Sequence, residues 1–190
     1  NSIDEIIAMQ KSEANSQFFR FISRHYENWI NEKDSPLLSH NLMAQKVFPH
    51  LDKESSVFML LIDNLRYDQW KIIENKILRK FNILDDSMYL SILPTSTQYS
   101  RNSIFSGLKP LDISRKYPNK WLNDEDEGGK NMYEEDFLND QLSRYGLQEF
   151  KCSYTKITNI DFGRKVISKI DNMRHNQLNV IVYNFVDMLS

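Results

Sequence analysis

The sequence has few of the residues on which several specialised classes of protein depend. It holds one cysteine, Cys152, among 190 residues, which excludes an internal disulfide framework and a cysteine-based zinc cluster. Glycine and proline number five each, too few for a low-complexity linker. No apolar run approaches the roughly 18 residues of a membrane-spanning helix, and the first residues lack a secretory pattern. We therefore expect no membrane insertion and a reducing, cytoplasmic location.

The charge of the chain is nearly balanced. The formal net charge is −2 and the sequence pI is about 6.1, which argues against binding through a broad basic surface but leaves room for a local basic channel. Hydrophobic residues make up 41% of the sequence, enough for a chain of this length to bury its own core. These values predict one globular domain, or one domain with a smaller appendage.

The first part of the chain has a helical pattern. Apolar residues recur at steps of three and four from Ile3 to about Leu51, which is the period of an amphipathic helix. Ser35–Pro36 interrupts the pattern, and a second helix is predicted over 37–47. None of the histidines here has the spacing of metal ligands. We therefore predict a helical bundle or linker segment over residues 1–52, with no chemistry of its own.

From residue 56 onward, strands and helices alternate. The run Val57–Ile62 is continuously apolar, which is typical of a strand buried on both faces. Further strands are predicted over 88–93, 150–157 and 179–186, and helices over 70–81, 97–105, 133–145 and 162–173. Gly146 is the expected C-cap of the third of these helices. Such alternation predicts an α/β domain over 56–190, with a parallel sheet and helices on both of its faces. Within its predicted strand, Cys152 is expected to pack rather than to react.

Residues with oxygen side chains follow three of the predicted strands. Asp63 and Asp187 come directly after apolar runs, and Thr97 lies in the hydroxyl-rich turn after 88–93. Open parallel sheets bind ligands beyond the carboxyl ends of their strands. Because an unpaired buried carboxylate is costly, a divalent metal such as zinc or manganese would compensate for it. The alternative is that Asp63 and Thr97 are N-caps of the helices that follow them.

The segment 93–110 is the most specific stretch of the sequence. A hydroxyl such as that of Thr97 at the start of a helix lies where backbone N–H groups and the helix dipole favour a phosphate. A threonine hydroxyl needs a base or a metal to become a nucleophile, and Asp63 is a candidate ligand for that metal. Arg101, one helical turn later, would contact the phosphate or the ligand shell, unless it forms an ordinary salt bridge.

The combination of these features resembles the alkaline phosphatase superfamily. An apolar strand ending at Asp63 is followed by Thr97 and then by Gly107, ten positions later, within Ser106-Gly107-Leu108-Lys109-Pro110. Nucleotide pyrophosphatase/phosphodiesterase members have a similar threonine, helix and Thr-Gly-hydrophobe-basic-Pro pattern. The sulfatase branch has a cysteine where this chain has Thr97, which makes formylglycine chemistry an unlikely fit.

Two narrower resemblances cover most of the chain. The stretch VFMLLIDNLRYDQW, residues 57–70, is similar to the PglZ domain. The helical segment before it resembles that of PorX-type two-component response regulators, which act in type IX secretion. This implies an alkaline-phosphatase-like parallel sheet flanked by helices, with 56–190 as the N-terminal part of a PglZ domain. A chain that starts at Asn1 and stops at Ser190, directly after a strand, is expected to be a fragment of a longer protein.

The resemblance also implies a site with two zinc ions. Asp63 and Thr97 would bind one ion and Asp187 the other, with Thr97 as the nucleophile. The remaining ligands would lie beyond Ser190. Arg101 and Asn64 are the candidate substrate-binding residues. The implied reaction is two-metal phosphoryl transfer through a threonyl-phosphate intermediate.

The implied function is that of a phosphodiesterase effector. Its substrates would be linear or cyclic oligonucleotides, and its role would be to regulate secretion. A sensor histidine kinase would act on a receiver domain outside this chain, and the effector would form a regulated homodimer. Two alternatives stay open: a non-catalytic signalling or scaffold module with a PglZ-like fold, and a phosphomonoesterase that uses the same ligands.

Overall fold

The computed structural model describes residues 2–31, 35–122 and 131–184. The chain divides into two compact units, Asn1–Leu38 and Ser39–Ser190. The first unit contains one long helix, α1 (Ile3–Asn31), and no side chain within that helix is buried. Its predicted helical character is confirmed. Among the helices of the described residues, none combines the length and the apolar content needed to cross a bilayer.

The described part of the second unit contains a parallel sheet of three strands. The strands are β1 (Val57–Ile62), β2 (Cys152–Ile157) and β3 (Leu178–Tyr183). Their order is β1-β3-β2, so the last strand in sequence lies in the centre. The pairing is in register, with Ile62 and Ile157 both opposite Tyr183. The carboxyl ends of all three strands therefore meet at one edge of the sheet.

Helices flank this sheet. Those in the described part of the second unit are α2 (Tyr67–Ile77), α3 (Thr97–Ser106), α4 (Pro110–Lys116), α5 (Glu134–Arg144), α6 (Ile160–Ser168) and α7 (Ile170–Met173). Alternate residues of β3 pack with α3, α4 and α5 into one core, whose buried members are Met43, Val47, Phe48, Ile104, Phe105, Ile113, Phe137, Leu138, Leu142, Leu178, Val180 and Val182. The predicted α/β fold with a helix-flanked parallel sheet is confirmed.

The segment after α1 is helical but irregular. Instead of one α-helix over 37–47, it contains the 3₁₀ turns Ser39–Asn41 and Phe48–His50 on either side of a π-helical turn, Met43–Val47. Met43, Val47 and Phe48 all belong to the core of the second unit. The division between the units thus lies earlier than the predicted boundary at 52–56, and the assignment of 1–52 and 56–190 as domains stays a prediction.

One local prediction was wrong, and one helix was not predicted. Residues 88–93 form no strand: Leu90 makes an isolated bridge, and Met88 is 93% exposed. Among the described residues, this segment has no neighbouring strand with which to form a ladder. Ile92 is buried, and its N–H donates to the hydroxyl of Ser39 at 3.0 Å. The sequence analysis also missed α4, although its Pro110 stands at a first helical position, where proline is favoured.

Two glycines end helices in the left-handed conformation. Gly107 follows α3 with φ 62° and Gly146 follows α5 with φ 71°, which confirms the C-terminal glycine predicted for α5. A Cβ atom at Gly107 would overlap the buried side chain of Gln141 on α5, whereas a Cβ at Gly146 would meet none of the described residues within 4 Å. Gly107 therefore permits both a backbone conformation and a close helix contact.

Replacing these glycines separates the two effects. Gly146→Ala carries only the backbone penalty, and we expect it to lower the free energy of unfolding by about 1 kcal/mol. Gly107→Ala adds the clash with Gln141, for an expected total of about 2–4 kcal/mol. Urea unfolding of both variants and the parent protein measures the difference. Equal losses for the two variants would show that the α3–α5 contact does not depend on the absent side chain.

Candidate active site

Asp63 and Asn64 lie where β1 ends. The N–H of Asp63 donates to the carbonyl of Tyr183 at 3.0 Å, so the ladder between β1 and β3 extends one bond past the strand. Asn64 then has φ 58°, a left-handed conformation that asparagine tolerates better than most residues. The chain bends away from the sheet at this point. It leaves the Asp63 carboxylate at the sheet edge with 23% of the side chain exposed.

Neither Asp63 nor Thr97 is an N-cap. The N-cap of α2 is Arg66, whose backbone N–H donates to Oε1 of Gln69 at 3.0 Å. The N-cap of α3 is Ser96, which makes no capping hydrogen bond through its side chain, and Thr97 is the first residue of the helix. Thr97 is half-buried. The structure thus removes the alternative that helix capping alone explains these two side chains.

Arg101 links α3 to the sheet edge. Its side chain is 3% exposed, and its Nη1 donates to Oδ2 of Asp63 at 3.0 Å and to Oδ1 of Asn184 at 2.6 Å. Asn184 follows β3 directly and donates its N–H to the carbonyl of Ile157 at 2.9 Å. Thr97 and Arg101 are four residues apart in one helix, so they share a face. The ion pair therefore brings the face of α3 that carries Thr97 to the edge that carries Asp63.

The other end of the Arg101 guanidinium contacts Glu134. Nη2 donates to Oε2 of this carboxylate at 2.6 Å, the hydroxyl of Tyr154 donates to the same oxygen, and Nζ of Lys156 lies 3.6 Å from it. Glu134 is the first residue of α5 and is fully buried. The sequence analysis missed Glu134. The available signal was an acidic residue in the first turn of a helix, which the helix dipole favours and which is too common to identify a site.

The charges of Asp63, Arg101 and Glu134, which form a cluster with Tyr154 and Tyr89, stabilise one another. Burial alone lowers the pKa of Arg101, but the negative charges of Glu134 and Asp63 outweigh it and raise that pKa, so the guanidinium stays charged. Burial and then Glu134 raise the pKa of Tyr154, which keeps its hydroxyl protonated as a donor. Burial and then Asp63 raise the pKa of Tyr89. The cluster is therefore an array of donors around two carboxylates.

The structure brings together three of the candidate residues and adds a fourth beside them. Asp63 and Arg101 form an ion pair, Thr97 lies one helical turn before Arg101, and Asn64 adjoins Asp63. The side chain of Arg101 is 3% exposed and contacts protein groups, and its predicted substrate-binding role stays a prediction. Asp187 lies outside the described residues. The roles of all five residues stay predictions.

The described residues supply only some of the ligands that a metal site needs. Asp63 and Thr97 offer a carboxylate and a hydroxyl oxygen, ligand types that zinc and harder cations accept. Within 2–31, 35–122 and 131–184, no group of three or more histidine, cysteine, aspartate or glutamate side chains is close enough to bind an ion. The donors present thus fit part of one coordination sphere.

Cys152 is unsuited to act as a nucleophile. It is the first residue of β2, and burial, followed by the charge of Glu135, raises the pKa of its thiol to about 12. The thiolate is the reactive form of cysteine, and at neutral pH a thiol with this pKa has almost none of it. The expectation that Cys152 packs rather than reacts therefore agrees with its surroundings.

Comparison with protein families gives two matches. Residues 42–190 match the BREX system PglZ alkaline phosphatase-like domain. Residues 1–30 match the PorX response regulator linker domain. Among curated proteins, none is similar enough to match this sequence. Both resemblances inferred from the sequence are thereby confirmed.

Removing Glu134 is expected to destabilise the fold strongly. In Glu134→Ala the buried guanidinium of Arg101 loses one of its two counter-charges, which should lower the free energy of unfolding by about 3–5 kcal/mol. The matched control is Asp136→Ala on the same helix, whose carboxylate is 51% exposed and pairs with Lys120. There the expected loss is about 0–1 kcal/mol. Urea unfolding compares the two, and similar losses would contradict the buried role of Glu134.

The thiol of Cys152 is expected to react slowly in the folded protein. With its pKa raised from 9.0 to about 12, the thiolate fraction at pH 8 falls by about 10³-fold. We expect iodoacetamide to alkylate Cys152 at least about 100-fold more slowly in the native protein than in the protein unfolded in about 8 M urea. Mass spectrometry of timed samples measures both rates. Rates within tenfold of each other would show an accessible, ordinary thiol.

Proposed function

Since the chain belongs to the PglZ family of alkaline phosphatase-like domains, we propose that it is a zinc-dependent phosphodiesterase that serves as the effector of a response regulator. Thr97 is the proposed nucleophile. Asp63 is a proposed ligand of the first zinc ion, and Asp187 of the second. The proposed substrates are linear or cyclic oligonucleotides. The family match supports a hydrolase of the phosphatase superfamily, and the zinc ions and the diester substrate are the proposal.

One observation carries this assignment to particular residues. The ion pair between Arg101 and Asp63, with Nη1 and Oδ2 3.0 Å apart, joins the carboxyl end of β1 to the helix that begins at Thr97. Parallel sheets bind ligands at that edge. Neither Asp63 nor Thr97 caps a helix, which supports a role for both side chains at this edge.

The proposed reaction starts at the Thr97 hydroxyl. A bound zinc ion would lower the pKa of this hydroxyl and offset the negative charge of the phosphoryl group. Oγ1 of Thr97 loses its proton to solvent and forms a bond to phosphorus while the bond from phosphorus to the leaving ester oxygen breaks. The leaving oxygen takes up a proton from solvent. A water molecule then forms a bond to phosphorus, the bond from phosphorus to Oγ1 breaks, and a proton of that water returns to Oγ1. Asp63 would be a ligand of the zinc ion, with its Oδ2 held by Arg101.

The first thirty residues support a place in two-component signalling. Their match to the PorX response regulator linker domain implies a receiver domain that a sensor histidine kinase phosphorylates. We propose that phosphorylation controls the hydrolase, that the active form is a homodimer, and that the output regulates secretion from the cytoplasmic side. Asn64, next to Asp63 at the sheet edge, is a proposed substrate-binding residue.

The role of Thr97 is tested by removing its hydroxyl at constant shape. In the purified protein with bound zinc, Thr97→Val is expected to lower the hydrolysis of bis(4-nitrophenyl) phosphate by at least about 10³-fold. Thr97→Ser restores a hydroxyl and should stay within about tenfold of the parent rate. The control is Thr155→Val in β2, which removes a hydroxyl next to Phe162 on α6 and should leave the rate unchanged.

Three results would contradict the proposal in different ways. Undiminished diester hydrolysis by Thr97→Val would exclude Thr97 as the nucleophile. Faster hydrolysis of 4-nitrophenyl phosphate than of the diester would favour a phosphomonoesterase. A folded parent protein that neither binds zinc, measured by elemental analysis, nor hydrolyses either ester would favour a non-catalytic signalling module.

A further inference from the structure

We propose that Glu134 is a positioning residue for the candidate active site. It fixes one end of the Arg101 guanidinium so that the other end holds Asp63 and Asn184 in place at the sheet edge. The inference rests on the proposed function of that edge and adds a residue that neither the sequence pattern nor the family match identifies. It concerns the chain's own contacts, which can be measured without any turnover.

Several donors converge on one oxygen of Glu134. Oε2 accepts hydrogen bonds from Nη2 of Arg101 at 2.6 Å and from the hydroxyl of Tyr154, and Nζ of Lys156 lies 3.6 Å away. Oε1 is buried and makes no hydrogen bond within the described part of the chain. All the hydrogen bonds of this carboxylate are therefore directed towards Arg101 and the strand that carries Tyr154, and they define where Oε2 lies.

The guanidinium transmits this position because it is rigid. Its nitrogen atoms lie in one plane, so fixing Nη2 and the direction of its hydrogen bond restricts where Nη1 can lie. Nη1 is the atom that binds Asp63 and Asn184, the first residues after β1 and β3. A displacement of Glu134 would therefore move the contact at the ends of two neighbouring strands.

The two carboxylates that Arg101 joins differ in exposure. The side chain of Glu134 is 0% exposed, and that of Asp63 is 23% exposed. A carboxylate without solvent access cannot meet a ligand that arrives from solvent, whereas Asp63 can. The buried carboxylate of Glu134 thus fixes the position of the Arg101 guanidinium. The guanidinium in turn fixes the position of the Asp63 carboxylate at the sheet edge. Outer partners of this kind typically change ligand affinity or activity by about 10–100-fold when they are removed.

Two substitutions separate hydrogen bonding from charge. Because Oε1 has no partner among the described residues, Glu134→Gln can place its carbonyl oxygen where Oε2 lies and still accept from Arg101 and Tyr154. Glu134→Ala removes both the acceptor and the charge. We expect Glu134→Ala to lower kcat for bis(4-nitrophenyl) phosphate and the affinity for Zn²⁺ by about 10–100-fold with little change in KM, and Glu134→Gln to stay within about fivefold.

A double-mutant cycle tests whether Glu134 acts through Arg101. In an Arg101→Met background, Glu134→Ala should change kcat and Zn²⁺ affinity by less than about threefold, because the group that transmits its position is gone. Asp140→Asn is the matched control on the same helix, since its carboxylate contacts Lys116 and Arg144 instead. We expect no effect of this control on either quantity.

A structural readout keeps the inference separate from the proposed function. In crystal structures of the variants, the contact between Nη1 of Arg101 and Oδ2 of Asp63 should persist in Glu134→Gln and Asp140→Asn and be lost in Glu134→Ala. If Glu134→Ala does not fold, Glu134→Asp, which withdraws the carboxylate by one methylene, takes its place with the same expectation.

The outcomes distinguish the positioning role of Glu134 from the proposed function. An intact Arg101–Asp63 contact in Glu134→Ala, or an equal loss of kcat with and without Arg101, would overturn the positioning role. Loss of the contact supports it even if the parent protein binds no Zn²⁺ and hydrolyses nothing, a result that would instead refute the proposed function.

Discussion

The buried guanidinium of Arg101 is the constraint on which the candidate site depends. A positive charge with 3% of its side chain exposed is stable only when opposite charges and acceptors surround it. Asp63, Glu134 and Asn184 supply them, and each comes from a different place: the end of β1, the start of α5 and the end of β3. One charge therefore fixes α3 and α5 relative to the sheet edge.

The strand order makes this arrangement possible. Because β3 lies between β1 and β2 in an in-register parallel sheet, Asp63 and Asn184 follow neighbouring strand ends. Backbone bonds continue the ladder past the strands, from Asp63 to Tyr183 and from Asn184 to Ile157. On one face, the core of α3, α4, α5 and alternate residues of β3 holds the helices against the sheet. The ion pairs at the edge are thus supported by apolar packing beneath them.

The two carboxylates that bind Arg101, those of Glu134 and Asp63, lie in different surroundings. Glu134 is buried and binds Arg101 and Tyr154, whereas Asp63 lies at the edge where parallel sheets bind ligands. The residues concerned lie within 42–190, which match the PglZ alkaline phosphatase-like domain. Thr97 is four residues before Arg101 in α3, so the two residues share a face of the helix. This placement supports the proposal that Thr97 and Asp63 act in one site.

The sequence by itself determined the features that depend on local pattern. The apolar run of β1, the helix that begins at Thr97 and the acidic residue after the strand could all be read from neighbouring positions, and they led to the correct fold class and family. Local pattern failed at 88–93, where alternation occurred without a partner strand. Only the tertiary structure decided that Arg101 joins Asp63 and Glu134, which lie 38 and 33 positions away from it. A buried charge chooses its partners by proximity in space, and that proximity arises only once the sheet and helices have packed.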